Sequence, residues 1–204
     1  MKNGKLHVIT NGKQSNDKLI NIAKIIHPFI DAIHIREKAK TAQQIYHLVQ
    51  QLYKNGVPSS KLIINDRVDV AQVCKVKGVQ LAYHSLPVQE VKDSFPSLQV
   101  GCSCHSLEEG GRAQRNGAQY ILFGHIFTSN SKPGVPPKGL KALSRVSRQL
   151  DIPVIAIGGI TPKHVSQVMK AGASGIAVMS GVWEARDPLN AVQSYKKHLI
   201  DRGS

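Results

Sequence analysis

Short apolar runs of four or five residues recur along the chain, each followed by a stretch with helical character. The runs are Leu6–Thr10, Ala32–Ile35, Leu62–Asn65, Gly78–Leu81, Gln99–Ser103, Tyr120–Phe123, Val154–Ile157 and Gly175–Val178. Their lengths suit strands. The helical stretches between them include Asp17–His27, Thr41–Asn55, Leu107–Asn116, Leu140–Leu150 and Pro162–Ala171. In Leu107–Asn116 the acidic pair Glu108–Glu109 comes early and Arg112 and Arg115 come late, which suits the helix dipole. Pro162 behind Thr161 reads as a first-turn proline after an N-cap, and Gly172 stands where a helix would stop. Strands alternating with helices predict a parallel sheet. Eight such units predict an α/β fold closed into a (β/α)8 TIM barrel, near the short end of that fold's size range. An open doubly wound sheet usually has fewer strands for this length, and no G-x-G-x-x-G follows the first strand. No linker or repeat divides the chain, so residues 1–204 read as one TIM-barrel domain. The Pro/Gly-rich patch from Lys132 to Gly139 follows the sixth strand, on the face of a barrel that carries chemistry.

Composition narrows the function. The chain has 204 residues, 41% of them apolar, which excludes a disordered or collagen-like protein. No apolar run approaches the roughly 20 residues of a spanning helix, and no long apolar segment follows the basic start, so a cytoplasmic protein is expected. Lys and Arg number 27 against 13 Asp and Glu, a formal net charge of +14. That excess predicts an anionic partner: nucleic acid, an acidic membrane or a phosphorylated small molecule. Aromatic residues are only 5%, the basic residues scatter along the helices, and no nucleic-acid-binding motif is present. The expected partner is therefore a small phosphorylated molecule, with no nucleic acid and no membrane. Three cysteines, Cys74, Cys102 and Cys104, do not make a disulfide framework. Cys102-Ser103-Cys104-His105 lacks the two-residue gap and the second ligand pair of a zinc site.

Two loops carry the first sign of chemistry. Gly158 and Gly159 end the seventh strand, and Ser180 and Gly181 end the eighth. In barrels these loops often bind phosphate, because glycine lets backbone N–H groups approach its oxygens. Gly158, Gly159, Ser180 and Gly181 are accordingly the predicted phosphate cradle, with a tight turn as the bland reading of the glycine pair. His125, at the end of the sixth strand, is an acid–base candidate because imidazole titrates near neutrality. In Ile33-His34-Ile35-Arg36 the alternation sends His34 and Arg36 into the barrel and toward its mouth, with Ile33 and Ile35 against the helices.

In order and spacing, several segments resemble the thiamine phosphate synthase superfamily: Ile35-Arg36-Glu37-Lys38, Ile63-Ile64-Asn65-Asp66-Arg67-Val68-Asp69, Ser103-Cys104-His105-Ser106-Leu107-Glu108-Glu109, Phe123-Gly124-His125-Ile126-Phe127, Ser131-Lys132-Pro133 and Ile155-Ala156-Ile157-Gly158-Gly159-Ile160. The resemblance covers nearly the whole chain and implies the same barrel. Two positions separate its branches. The synthase pattern carries a magnesium-binding Asp after the fourth strand, where this chain has Ser85 in Ala82-Tyr83-His84-Ser85. A neutral hydroxyl is a poor ligand for so hard a cation. The synthase has Gly-Pro after the sixth strand, where this chain has Gly124-His125, as the thiazole tautomerase (TenI-type) branch does. The resemblance thus implies a thiazole tautomerase, an isomerase of thiamine biosynthesis. Its partner is a 2-carboxythiazole phosphate, in which a proton moves from ring C2 to the exocyclic carbon. His125 would be its catalytic residue, with no metal and no cofactor. His34, Arg36, Lys38, Asn65, Ser103 and Lys132 are the implied substrate contacts, and a homo-oligomer is the implied assembly. Arg36, Lys38, Asp66 and Lys132 also match residues that serve diphosphate and metal in the synthase. Magnesium-dependent coupling of hydroxymethylpyrimidine diphosphate with thiazole phosphate is therefore the alternative, and a non-catalytic regulatory protein the second alternative.

Overall fold

A computed structural model describes residues 4–129, 131 and 133–200. Eight parallel strands close into a barrel in sequential order: β1 (Lys5–Ile9), β2 (Ala32–Ile35), β3 (Leu62–Asn65), β4 (Gly78–Leu81), β5 (Gln99–Cys104), β6 (Tyr120–Gly124), β7 (Val154–Ile157) and β8 (Gly175–Val178). β8 pairs with β1, with Leu6 opposite Ile176 and Val8 opposite Val178. The helices are α1 (Asn16–Ile26), α2 (Ala42–Lys54), α3 (Val68–Val73), α4 (Val88–Ser94), α5 (Leu107–Arg115), α6 (Gly139–Gln149), α7 (Val165–Lys170), α8 (Ser180–Trp183) and α9 (Pro188–Ile200). This is a single-domain (β/α)8 barrel, as the alternation of strand and helix runs predicts. No helix among the described residues is long and apolar enough to cross a membrane.

Local chemistry accounts for the helix ends. Thr41 caps α2 by accepting from the Gln44 amide, while the Gln44 side chain accepts from the Thr41 amide. Ser106 caps α5 by accepting from the Glu109 amide at 3.1 Å. Pro162 opens a 3-10 turn, Pro162–His164, that leads into α7, and Gly172 follows that helix in the left-handed region at φ 97°.

Two apolar layers hold the barrel. Outward-facing strand residues such as Val8, Ile33, Ile35, Ile64 and Val100 pack beneath the helices. Inward-facing Ile9, Ala32, Ile63, Tyr120, Leu122, Ile155 and Ala177 fill the interior. The interior is partly polar: His7, His34 and Gln80 are buried there. His7 Nδ1 and His34 Nε2 share a hydrogen bond of 3.0 Å between β1 and β2, and Tyr120 meets both rings edge-on. Gly101 on β5 makes room for this layer, since a Cβ there would overlap the Tyr120 ring and the Gln80 amide. The interior is thus a packed core, leaving its open end to the loops that follow the strands.

Candidate active site

A cavity of about 480 Å³ opens at the C-terminal ends of the strands. That size lies within the range of small-molecule sites. Its floor is apolar: Ile9, Leu122, Ile157 and Ala177 come from inward-facing strand positions. Polar groups are added by strand ends. Arg36 follows β2, Asn65 ends β3 and Ser103 lies near the end of β5. The Arg36 amide donates to Thr10 Oγ1 at 2.8 Å, which fixes the start of the β2 loop. Ser103 Oγ accepts from Gln80 Nε2 at 3.0 Å. Asn65 Oδ1 is buried among these groups with no hydrogen-bond partner among the described residues.

The opposite wall is formed by both glycine loops. Gly158, Gly159, Ser180 and Gly181 all line the cavity, so the two loops converge on one space. Gly158 and Gly159 lie in the left-handed region, at φ 98° and 65°. Both also permit close packing of the β6 loop: a Cβ on Gly158 would overlap His125, and one on Gly159 would overlap the Thr128 carbonyl. The Phe127 amide donates to the Gly158 carbonyl at 3.0 Å, extending the β6–β7 pairing beyond the strands. Part of the glycine requirement is therefore packing, whatever binds in front of it.

His125 lines the cavity and is 5% exposed. Its Nε2 donates to the Val135 carbonyl at 3.1 Å, and its Nδ1 is buried with no hydrogen-bond partner among the described residues. The Lys138 amide donates to the His125 carbonyl at 2.8 Å. The histidine thereby pins the Pro/Gly-rich loop to the end of β6.

Two expected contacts are not brought to the cavity. His34 points into the barrel as the alternation predicts, but it lies below the mouth, fully buried against His7. Lys38 is exposed and lies outside the cavity lining. Lys132 falls outside the described residues. Other residues carry no signal in sequence and lie in or beside the site. Tyr195 of α9 lines it, and its hydroxyl donates to the Ile160 carbonyl at 3.0 Å. His164 stacks on Phe127 with ring centroids 4.1 Å apart, and its Nδ1 lies 3.1 Å from the Gly159 carbonyl.

Residues 6–182 match the family model described as thiamine monophosphate synthase. The chain belongs to this family. Its relatives agree along most of its length. A thiamine-phosphate synthase from Methanococcus maripaludis is 29% identical over 93% of this chain and 92% of that protein. One from Chlorobium luteolum is 39% identical over 79% of this chain and 78% of that protein. The solved structure of thiamine phosphate pyrophosphorylase from Pyrococcus furiosus superposes with a TM-score of 0.83 at 31% identity, covering 97% of this chain and 96% of that one.

These relatives correct the expectation of a thiazole tautomerase, and with it the isomerase class. The expectation rested on Ser85 and on Gly124-His125. Two local differences are outweighed by a match that runs through the whole barrel to proteins named as synthases.

The magnesium that the family resemblance associates with the synthase does not find a fitting set of protein ligands. Ser85 Oγ accepts from the Ala82 amide at 2.9 Å and so serves its own turn. Asp66 is exposed, and neither residue lines the cavity. Among the described residues no group of three or more His, Cys, Asp or Glu side chains comes together to hold a metal.

Proposed function

We propose that the protein is an enzyme of thiamine biosynthesis that joins hydroxymethylpyrimidine diphosphate to thiazole phosphate. In this coupling the thiazole nitrogen bonds to the pyrimidine methylene carbon. The bond from that carbon to the diphosphate oxygen breaks, and its electron pair leaves with the diphosphate. The single observation that carries the reading is the convergence of both glycine loops and Arg36 on one cavity. It is supported by relatives named for this activity.

In this reading the thiazole phosphate is anchored by Gly158, Gly159, Ser180 and Gly181. Glycine backbone and a serine hydroxyl suit an oxyanion that must approach closely. Anchoring the phosphate fixes the ring and turns an encounter of two solutes into an oriented reaction. Arg36 is the cation that meets the departing diphosphate, where negative charge gathers as the bond breaks. Asn65 and Ser103 supply neutral hydrogen-bonding groups on the same side. His125 acts on the wall of the site: its Nε2 holds the Val135 carbonyl, and the residue packs against Gly158.

A paired assay tests the proposal. The purified protein is given thiazole phosphate and hydroxymethylpyrimidine diphosphate with magnesium, and thiamine phosphate is followed by chromatography. Product is expected over many turnovers, with release of diphosphate in equal amount. Absence of product at protein concentrations equal to substrate overturns the proposal.

A further inference from the structure

We propose that Tyr195 is a positioning residue that ties the two glycine loops together at the spacing needed to hold a phosphate ester. The inference rests on the phosphate-cradle reading and adds a residue from a distant helix to it.

Tyr195 is 3% exposed and comes from α9, which packs on the 3-10 turn that follows the β7 loop and on α8 that follows β8. Its hydroxyl donates to the Ile160 carbonyl, directly after Gly158-Gly159, at 3.0 Å. The same hydroxyl occupies the space that a side chain at Gly181 would need: a Cβ there would overlap it, and the next nearest atom is Tyr195 Cζ at 3.4 Å. Gly181 has no left-handed backbone to explain a glycine. Its lack of a side chain is explained by the tyrosine hydroxyl. One oxygen thus touches the β7 loop by a hydrogen bond and the β8 loop by close packing.

The β7 loop is held on its other side as well. His164 Nδ1 lies 3.1 Å from the Gly159 carbonyl and 3.3 Å from the Thr161 amide, with its ring stacked on Phe127. Between His164 and Tyr195 the Gly159–Thr161 segment has little freedom to move toward or away from Ser180. A phosphate bound between two loops gains most when their donors are already in place, because no ordering remains to be done on binding.

The chemistry predicts a specific coupling between two substitutions. Gly181→Ala alone forces a methyl group against the Tyr195 hydroxyl. Tyr195→Phe removes that hydroxyl and leaves only the ring carbon, at ordinary contact distance. The two changes are therefore expected to be non-additive. Gly181→Ala lowers the melting temperature, and adding Tyr195→Phe raises it again.

The experiment combines that cycle with ligand readouts. Melting temperature is measured for the wild type, both single variants and the double variant. Thiazole phosphate affinity is measured by calorimetry, and KM and kcat are measured in the coupling assay. For Tyr195→Phe, affinity is expected to fall about tenfold, with KM for thiazole phosphate rising in parallel and kcat largely kept. A merely structural tyrosine would lower stability without separating KM from kcat. Additive melting shifts overturn the tie, as does equal thiazole phosphate affinity in wild type and Tyr195→Phe. If the wild type binds no thiazole phosphate, the cradle reading itself fails. That failure is distinguishable, because the melting-temperature coupling persists in its presence.

Discussion

Ser85 occupies the position of a carboxylate in the synthase pattern, and its hydroxyl has taken up a local task. By accepting from the Ala82 amide it closes the turn that follows β4. An aspartate could keep that turn, since a carboxylate is also a good acceptor for a backbone amide in a tight turn. It would add the hard, anionic oxygen that magnesium favours and a hydroxyl lacks. Ser85→Asp is therefore expected to lower the magnesium concentration for half-maximal coupling by about tenfold. A magnesium titration of initial rates in both proteins measures this. An unchanged midpoint would show that the cation, as bound with the diphosphate, does not come near residue 85. Gly158 illustrates a different lesson at the same scale. Its glycine is demanded by His125 packing on its α-carbon as well as by any phosphate, so a variant there would confound folding with binding.

Elements differ in how far they could be read from the chain. Five of the eight strands have the bounds that the apolar runs predict, β5 and β6 run one residue longer, and β1 starts and ends one residue earlier. Such runs are short, buried on both faces, and bounded by polar turns, so little competes with them. The helices α3 and α4 leave no comparable mark: with six and seven residues they complete barely two turns, too few to display a period. The glycine loops were legible because strand order places them side by side. Tyr195 was not, because its contact depends on how α9 lies against a distant loop, and His164 was not, because its stacking on Phe127 joins loops far apart in sequence. For β2 the alternation gave the facing of His34 but not its depth. Depth follows from its pairing across to β1, where His7 and His34 share one hydrogen bond within the barrel. Burial pushes His7 down to about 3, helped by the nearby positive charges of Lys77 and Lys5. Burial likewise holds His34 well below the ordinary histidine value, with His7 and Lys77 adding to the effect. Both rings are neutral in the fold and chargeable once it opens. Below the unfolded value of about 6.5 the unfolded chain binds protons that the folded chain excludes, so stability falls as pH drops toward 3. Above that value the pair contributes no pH dependence. Each ring adds a slope of up to about 1.4 kcal/mol per pH unit. Urea unfolding measured from pH 7.5 to about 4.5 should show this loss. The slope should flatten in the His7→Gln, His34→Gln double variant. Equal slopes in the two proteins would mean that the rings take up protons in place.

Across the whole molecule, the charge of +14 exceeds anything the cavity uses. Arg36 is the one cation among the described lining residues, and the proposed phosphate cradle is built from glycine backbone and a serine. Much of the remaining positive charge lies on helices, outside the site, as with Lys24, Lys54 and Arg148 in the last turns of α1, α2 and α6. Charge spread in this way cannot select a substrate by contact. It can raise the rate at which two highly anionic substrates arrive, and that effect acts through solvent and is screened by salt. It should therefore appear in kcat/KM and not in kcat. Raising ionic strength from about 0.01 M to about 0.15 M shortens the screening length from about 30 Å, comparable to the barrel, to about 8 Å. Over that range kcat/KM for the diphosphate substrate is expected to fall on the order of tenfold, at constant free magnesium, while kcat holds. An uncharged salt-matched viscosity control separates steering from diffusion. Were kcat/KM flat across the range, the excess lysines would serve solubility, and the attraction of anions would reside in Arg36 and the loops alone.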